Sequence, residues 1–247
     1  MPDLTEQSLR VCSLYPDLMN IYADRGNLLV LERRCRWRGI GFQLSSSGIG
    51  SELDPDQADL FYMGGGQDRD QQRCAVDMVQ TKRAGLEEAA TRGKSILAVC
   101  GGYQLLGHSY QLGDESLPGV GLLDLRTVRE EGPRLIGNAA IEVELEPGRP
   151  AVMAGFENHG GRTYLGSGAE PLGRVLKGYG NNGRDGYEGA RSGSVIGTYL
   201  HGPLLPKNVW FADWLIGRAL GLSSALPELS DELEAAAHGS ARQAAGL

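Results

Sequence analysis

The chain lacks the features that mark membrane, secreted or nucleic-acid-binding proteins. No run approaches the ~18 consecutive apolar residues of a spanning helix, so it is not expected to span a membrane. The opening MPDLTEQSLR has no apolar core of the kind a signal peptide needs. Only four cysteines are present, Cys12, Cys35, Cys74 and Cys100. Their spacings fit neither a disulfide framework nor a zinc site, so a reduced, cytoplasmic protein without a metal is expected. A net charge of −7 excludes nucleic acid as a main partner, because a phosphate backbone demands a basic surface. Neither a GxGxxG fingerprint nor a Walker A loop occurs, which leaves the chain no evident means of holding a dinucleotide or ATP by itself.

What is present is enough for one large α/β domain: 247 residues, 41% of them hydrophobic, with 37 glycines for tight loops and close backbone approaches. Leu9–Tyr15, Gly41–Leu44, Asp59–Met63 and Ser95–Val99 read as strands. Tyr22–Arg38 and Asp70–Arg92 have helical spacing and end at Gly39 and Gly93. This alternation predicts a parallel sheet with helices on both faces. From about Leu117 the texture changes. Arg134–Leu145, Ala151–Phe156 and Ser194–Tyr199 are further strand candidates, Gly178–Gly189 is a glycine-rich loop, and Asn208–Leu220 is an amphipathic helix. A single domain over residues 1–222 is expected, followed by an Ala- and Glu-rich tail over 223–247 that is mobile or weakly helical.

Chemistry concentrates where the strand Ser95–Val99 runs into Cys100-Gly101-Gly102 and a new helix. A strand, a cysteine, two small residues and a helix describe a nucleophile elbow, with the thiol at the carboxyl edge of the sheet where open α/β folds bind ligands. The other three cysteines lie in apolar or helical stretches and read as packing. A cysteine nucleophile needs a base. Of the four histidines, His201 ends an apolar strand in Gly197-Thr198-Tyr199-Leu200-His201, which allows it to meet Cys100 on the same sheet edge. His238 lies in the tail, His108 follows the elbow too closely to turn back, and His159 sits in a binding-type loop, Glu157-Asn158-His159-Gly160-Gly161. Gly64-Gly65-Gly66 after another strand, together with the Gly101 N–H, offers an oxyanion hole.

Cys100-Gly101-Gly102-Tyr103-Gln104-Leu105-Leu106-Gly107 resembles the elbow of class I glutamine amidotransferases. Gly65–Asp68, Gly155–Thr163 and Thr198–Gly202 are similar to the branch typified by cobyric acid synthase. Gly178–Asn182 and His201–Asn208 resemble the GatD-type subunits of lipid II isoglutaminyl synthases. The resemblance covers about residues 9–220. It implies a three-layer α/β fold with a mostly parallel central sheet, Cys100 as nucleophile and His201 as acid–base. It also implies Gly65 and Gly101 as oxyanion donors, with Arg134, Gln104, His159, Gly160 and Gly161 around the substrate L-glutamine. The implied partner is a MurT-like Mur ligase subunit. That partner would hold ATP and Mg and handle lipid II, so no cofactor is expected in this chain.

Many class I relatives carry glutamate two residues after the histidine. Here that residue is Pro203, leaving a dyad in this chain whose histidine is oriented either by a backbone carbonyl or, the favoured expectation, by a carboxylate supplied by the partner. Alternatives remain: an amidotransferase subunit serving another synthetase, as in cobyric acid synthesis; a non-catalytic glutamine sensor; or a cysteine hydrolase of another kind.

Overall fold

The computed structural model describes residue 4, residues 6–21 and residues 24–247. The chain opens with β1 (Ser8–Leu14), α1 (Arg25–Trp37), β2 (Gly41–Ser47) and β3 (Leu60–Met63). It continues through α2 (Asp68–Asp77), a π-helical turn (Met78–Lys82), α3 (Arg83–Thr91), β4 (Ser95–Val99) and α4 (Gly101–Leu106). Then follow the strands β5 (Ser109–Leu112), β6 (Glu115–Pro118), β7 (Leu125–Arg129), β8 (Leu135–Val143), β9 (Ala151–His159) and β10 (Gly161–Leu165). The last elements are β11 (Gly173–Lys177), β12 (Tyr187–Glu188), β13 (Ala190–Ser192), β14 (Val195–Thr198), α5 (Leu204–Lys207), α6 (Val209–Ala219) and α7 (Glu232–Ala244).

A six-stranded sheet in the order β13-β14-β4-β3-β1-β2 forms the centre, parallel throughout except for β13. Every residue of β3, β4 and β14 is buried. These are the continuous apolar runs that strands covered on both faces require. β2 is the edge strand, mostly exposed, and its sequence GFQLSSS is correspondingly polar. Helix α1 turns Leu28, Leu31 and Cys35 inward at helical spacing. It packs with α5 and α6, while α2 packs with α4. The α/β class and the parallel sheet expected from the alternation are what the structure contains.

Several expected boundaries shift. The helix read as Tyr22–Arg38 spans Arg25–Trp37; Tyr22 lies outside the described residues. The stretch Asp70–Arg92 is not one α-helix. It is interrupted at Met78–Lys82, where the backbone swings Lys82 into the interior. There Lys82 Nζ donates to Gly48 O (2.7 Å), Ser51 O (2.8 Å) and Asp77 Oδ2 (2.7 Å), above the Tyr15 ring. All three ammonium protons thus have acceptors, which is what a fully buried lysine needs. Lys82→Met should therefore destabilise the fold by about 3–5 kcal/mol, since the Asp77 carboxylate stays behind unneutralised. A denaturation midpoint equal to wild type would refute the assignment.

Two four-stranded sheets, β10-β7-β5-β6 and β12-β11-β8-β9, carry the region after the elbow. Only β8, β9 and β14 had counterparts among the expected strands there. The tail is helical over Glu232–Ala244 and docked. Asn138 Nδ2 donates to Ala244 O, the His238 Nδ1–H to Lys207 O, and the guanidinium of Arg34 binds both Asp213 and Asp231.

Candidate active site

Strand β4 delivers Cys100 at φ 51°, ψ −106°, a left-handed conformation that a residue with a side chain adopts only under constraint. The surroundings supply that constraint. The Cys100 N–H donates to Thr198 O (2.8 Å) on β14, and the Gly102 N–H to Gly64 O (3.2 Å) at the end of β3. Gly102 cannot be larger, because a Cβ would stand 2.8 Å from Gly64 O. The thiol is 6% exposed at the carboxyl edge of the sheet. The other cysteines are free and buried within the core. Burial lifts the thiols of Cys35 and Cys74 to about 12 and raises that of Cys12. A thiol held protonated is a poor nucleophile, consistent with their reading as packing residues.

His201 follows β14 and is pinned by a two-way backbone bridge to Phe156, with its N–H donating to Phe156 O at 2.7 Å. The approach to it is held by a buried carboxylate. Glu188 accepts from the Tyr199 N–H (2.6 Å) and the Thr198 hydroxyl (3.0 Å). Burial raises Glu188 to about 8, against the pull of those donors. The imidazole of His201 interacts with both Cys100 and Asp24. Burial favours its neutral form, but its interactions with Cys100 and Asp24 prevail and raise it to about 10.

Asp24 is the residue that reading the sequence missed. It immediately precedes α1, is fully buried, and accepts from His201 Nδ1–H through Oδ1 at 3.4 Å. A carboxylate beside His201, expected from a partner, is therefore present within this chain. Pro203 packs instead against Gly26, where a Cβ would meet its ring at 2.6 Å. An acid at a helix start, on the loop after a strand of the same sheet, was the available signal.

The same carboxylate alters the oxyanion assignment. The Gly65 N–H donates to Asp24 Oδ2 at 2.6 Å, so in this arrangement it is engaged and not open to substrate. The neighbouring Gly66 nitrogen lies against the elbow, 2.9 Å from where a Cβ on Gly101 would be. None of the three glycines tolerates a side chain: a Cβ would strike Met19 O at residue 64, His201 Cε1 at 65 and Met19 Sδ at 66.

Gln104 and His159, both expected around the substrate, are buried. Gln104 is 4% exposed. Its carbonyl accepts from Gln71 Nε2 (2.7 Å), and its amide donates to the Tyr199 hydroxyl (3.1 Å). Tyr199 in turn bonds Thr163, and Thr163 bonds Thr127. His159 stacks on Tyr199 with centroids 3.6 Å apart, and its Nδ1–H donates to Gly161 O (2.8 Å). Burial lowers the His159 pKa. Gln104 is thus held on both sides of its amide by protein partners, whereas His159 Nε2 is buried without a hydrogen bond, 3.9 Å from Glu157 Oε2.

The loop itself, Asn158–Gly161, is flanked by two arginines. Arg134, exposed at the start of β8, donates to the Asn158 side chain and to Asn158 O, each at 2.8 Å. Arg129, at the end of β7, pairs in register with Gly161.

The chain has relatives among known proteins. The model of the CobB/CobQ-like glutamine amidotransferase domain matches residues 10–209. The chain is 37% identical over 230 residues to the lipid II isoglutaminyl synthase (glutamine-hydrolyzing) subunit GatD of Staphylococcus aureus, covering 92% of this chain and 91% of that one. To the subunit of the same description from Streptococcus pneumoniae it is 34% identical, covering 91% and 87%. Among solved structures, PurLQS from Thermotoga maritima shares the fold at a TM-score of 0.60 and 21% identity, over 86% of this chain and 96% of that chain. With its elbow cysteine, strand-end histidine and buried aspartate on one sheet edge, the chain belongs to the CobB/CobQ-like glutamine amidotransferase family.

Proposed function

We propose that this chain is the glutaminase subunit of a lipid II isoglutaminyl synthase. The observation that carries the reading is the buried relay Cys100–His201–Asp24 behind a strained elbow. The near full-length match to the Staphylococcus aureus subunit supports the choice of assembly. The Cys100 thiolate attacks the side-chain carbonyl of L-glutamine, forming a C–S bond as the carbonyl oxygen takes the negative charge. The Gly66 and Gly101 N–H groups are the donors assigned to that oxygen, because the Gly66 nitrogen lies against the elbow. The tetrahedral centre collapses, His201 gives its proton to the departing nitrogen, and ammonia leaves a γ-glutamyl thioester. His201, held by Asp24, then takes a proton from water, whose oxygen attacks the acyl carbon; the C–S bond breaks, releasing glutamate and restoring the Cys100 thiolate.

Ammonia passes to a MurT-like Mur ligase subunit, where ATP and Mg activate the D-glutamate carboxylate of the lipid II stem peptide for amidation. Ammonia is mostly protonated near neutral pH and then not nucleophilic, so a sheltered route between the subunits is required. The location is cytoplasmic, where these substrates are found. Among the described residues no helix is long and apolar enough to cross a membrane. The same site serving another synthetase, as in cobyric acid synthesis, is the second reading. The similarity to a separate subunit along 91% of its length favours the first.

The purified chain, alone and with its co-expressed ligase, should release ammonia and glutamate from L-glutamine in equal amounts. Amidation of lipid II should require the pair. A complex that amidates lipid II only from free ammonium would end this reading.

Arg134 remains the residue proposed to hold the substrate beside the loop. Arg134→Ala should raise the KM for glutamine by about tenfold or more with a smaller change in kcat, as for loss of a charge-assisted contact. Unchanged kinetics would return it to the status of a surface charge.

A further inference from the structure

Among the described residues only two that are not glycine hold a positive φ: Cys100, at 51°, and Tyr15, at 50°. Each directly follows a parallel strand of the central sheet, β4 and β1 respectively, at the carboxyl edge. A left-handed backbone at a residue with a Cβ persists only where the surroundings hold it. The elbow requires it at Cys100. No step of the mechanism above uses it at Tyr15.

Tyr15 is held by its side chain. It is 1% exposed, its hydroxyl donates to Asp77 Oδ2 at 2.7 Å, and the Lys82 ammonium stands 4.7 Å over its ring. Asp77 is itself fixed by Lys82 and by the Gly50 N–H, each at 2.7 Å. The Tyr15 carbonyl accepts from the N–H groups of Leu18 (3.0 Å) and Met19 (2.8 Å), so its orientation sets where those residues go. They form the wall behind the triple glycine. A Cβ would meet Met19 O at 2.5 Å on Gly64, Ile21 Cγ1 at 3.0 Å on Gly65 and Met19 Sδ at 2.4 Å on Gly66. The Ile21 N–H also donates to Gly65 O at 3.2 Å. Elsewhere the segment borders cavities of about 410 and 250 Å³, both lined by Pro16 and Asp17, so close packing does not fix it there.

We propose that Tyr15 is a positioning residue for the oxyanion loop: its left-handed backbone, pinned through Asp77, sets residues 18–21 against Gly64–Gly66 and so holds the Gly66 N–H beside the elbow. The proposal rests on the amidotransferase reading above and adds the part of the fold that locates its oxyanion donors. Without the tether to Asp77 the backbone relaxes toward a negative φ and draws Leu18 and Met19 away from the glycines. A reaction that builds charge on oxygen then slows, while the reactivity of the thiol itself, governed by His201, does not change.

The test compares two reactions of Cys100 in the full-length protein. Glutamine hydrolysis passes through an oxyanion, whereas alkylation by iodoacetamide is a displacement at carbon that forms none. In Tyr15→Phe, which keeps the ring and loses only the hydroxyl, kcat for glutamine should fall about 10- to 100-fold, with KM within about twofold and the iodoacetamide rate as in wild type. Met19→Ala, which leaves the Tyr15 anchor in place, should show the same split. The double variant should be no slower than the slower single one, because both changes act on one contact. Met19→Ala alone decides the matter if Tyr15→Phe does not fold. An unchanged kcat in either folded variant, an iodoacetamide rate that falls in step with kcat, or effects that multiply in the double variant would overturn the proposal. A wild-type protein that hydrolyses no glutamine, alone or with its ligase, would instead overturn the amidotransferase reading beneath it.

Discussion

Cys100→Ala is expected to abolish glutamine hydrolysis, by roughly ten-thousand-fold or more, the scale seen when a covalent nucleophile is removed. The fold should persist, since the thiol fills a small volume at a position already fixed by the bonds to Thr198 and Gly64. A γ-diazo-ketone analogue of glutamine should alkylate Cys100 and leave Cys12, Cys35 and Cys74 untouched, because burial holds those three thiols protonated. Ammonia-dependent synthesis by the complex should survive, since the ligase needs only the nucleophile, whatever its source. High ammonium at alkaline pH should therefore bypass the lesion. A label on any other cysteine, or a folded complex that ammonium fails to rescue, would contradict the assignment.

Asp24→Asn is expected to lower kcat by about a hundred- to ten-thousand-fold, with a smaller effect on KM. Asparagine retains an oxygen for the Gly65 N–H but removes the charge beside His201, so the loss reports on the histidine and not on the loop. The pH profile separates this from a structural effect. His201 is raised to about 10 by Cys100 and Asp24 together, against burial. A raised histidine is charged below its ordinary range and loses its proton as pH climbs through the folded value. The imidazolium that protonates ammonia should thus disappear near pH 10 in wild type and at lower pH in Asp24→Asn. Asp24→Ala should lose the loop contact as well and be worse. An alkaline limb that stays in place in Asp24→Asn would reduce Asp24 to packing. Because the carboxylate is intramolecular, the chain alone should show glutaminase activity, and any stimulation by a partner must arise from some other cause than a missing acid.

The parts of the site written in short, local patterns were legible. Ser95–Val99 is a five-residue strand, buried throughout and apolar from Ile96, that ends at Cys100-Gly101-Gly102, a local pattern that marks the sharp turn. His201 was legible for the same reason, as the end of a buried strand. Asp24 was not, because its meaning depends on a residue 177 positions away, and nothing beside it marks it as more than a helix-capping acid. That the Gln104 amide is held by Gln71 and Tyr199 was not legible either, because both are remote in sequence. The break at Met78–Lys82 was hidden likewise. Its spacing is helical, and the departure is enforced by the carbonyls of Gly48 and Ser51 that accept from Lys82. The small sheets after the elbow were partly missed because β6 and β12 are short and polar, with too few residues to show a period.

The 177-residue span between Asp24 and His201 also governs when the chemistry can begin. During synthesis the ribosome releases Asp24 and Cys100 long before His201, and the histidine takes its place only once β14 has joined β4. A nascent or truncated chain ending before residue 201 presents a cysteine and an acid with no proton carrier between them. It should bind no covalent glutamine and waste none. Glutaminase activity is then a property of the finished sheet, and its onset in a translation reaction would time the closing of the last parallel strand.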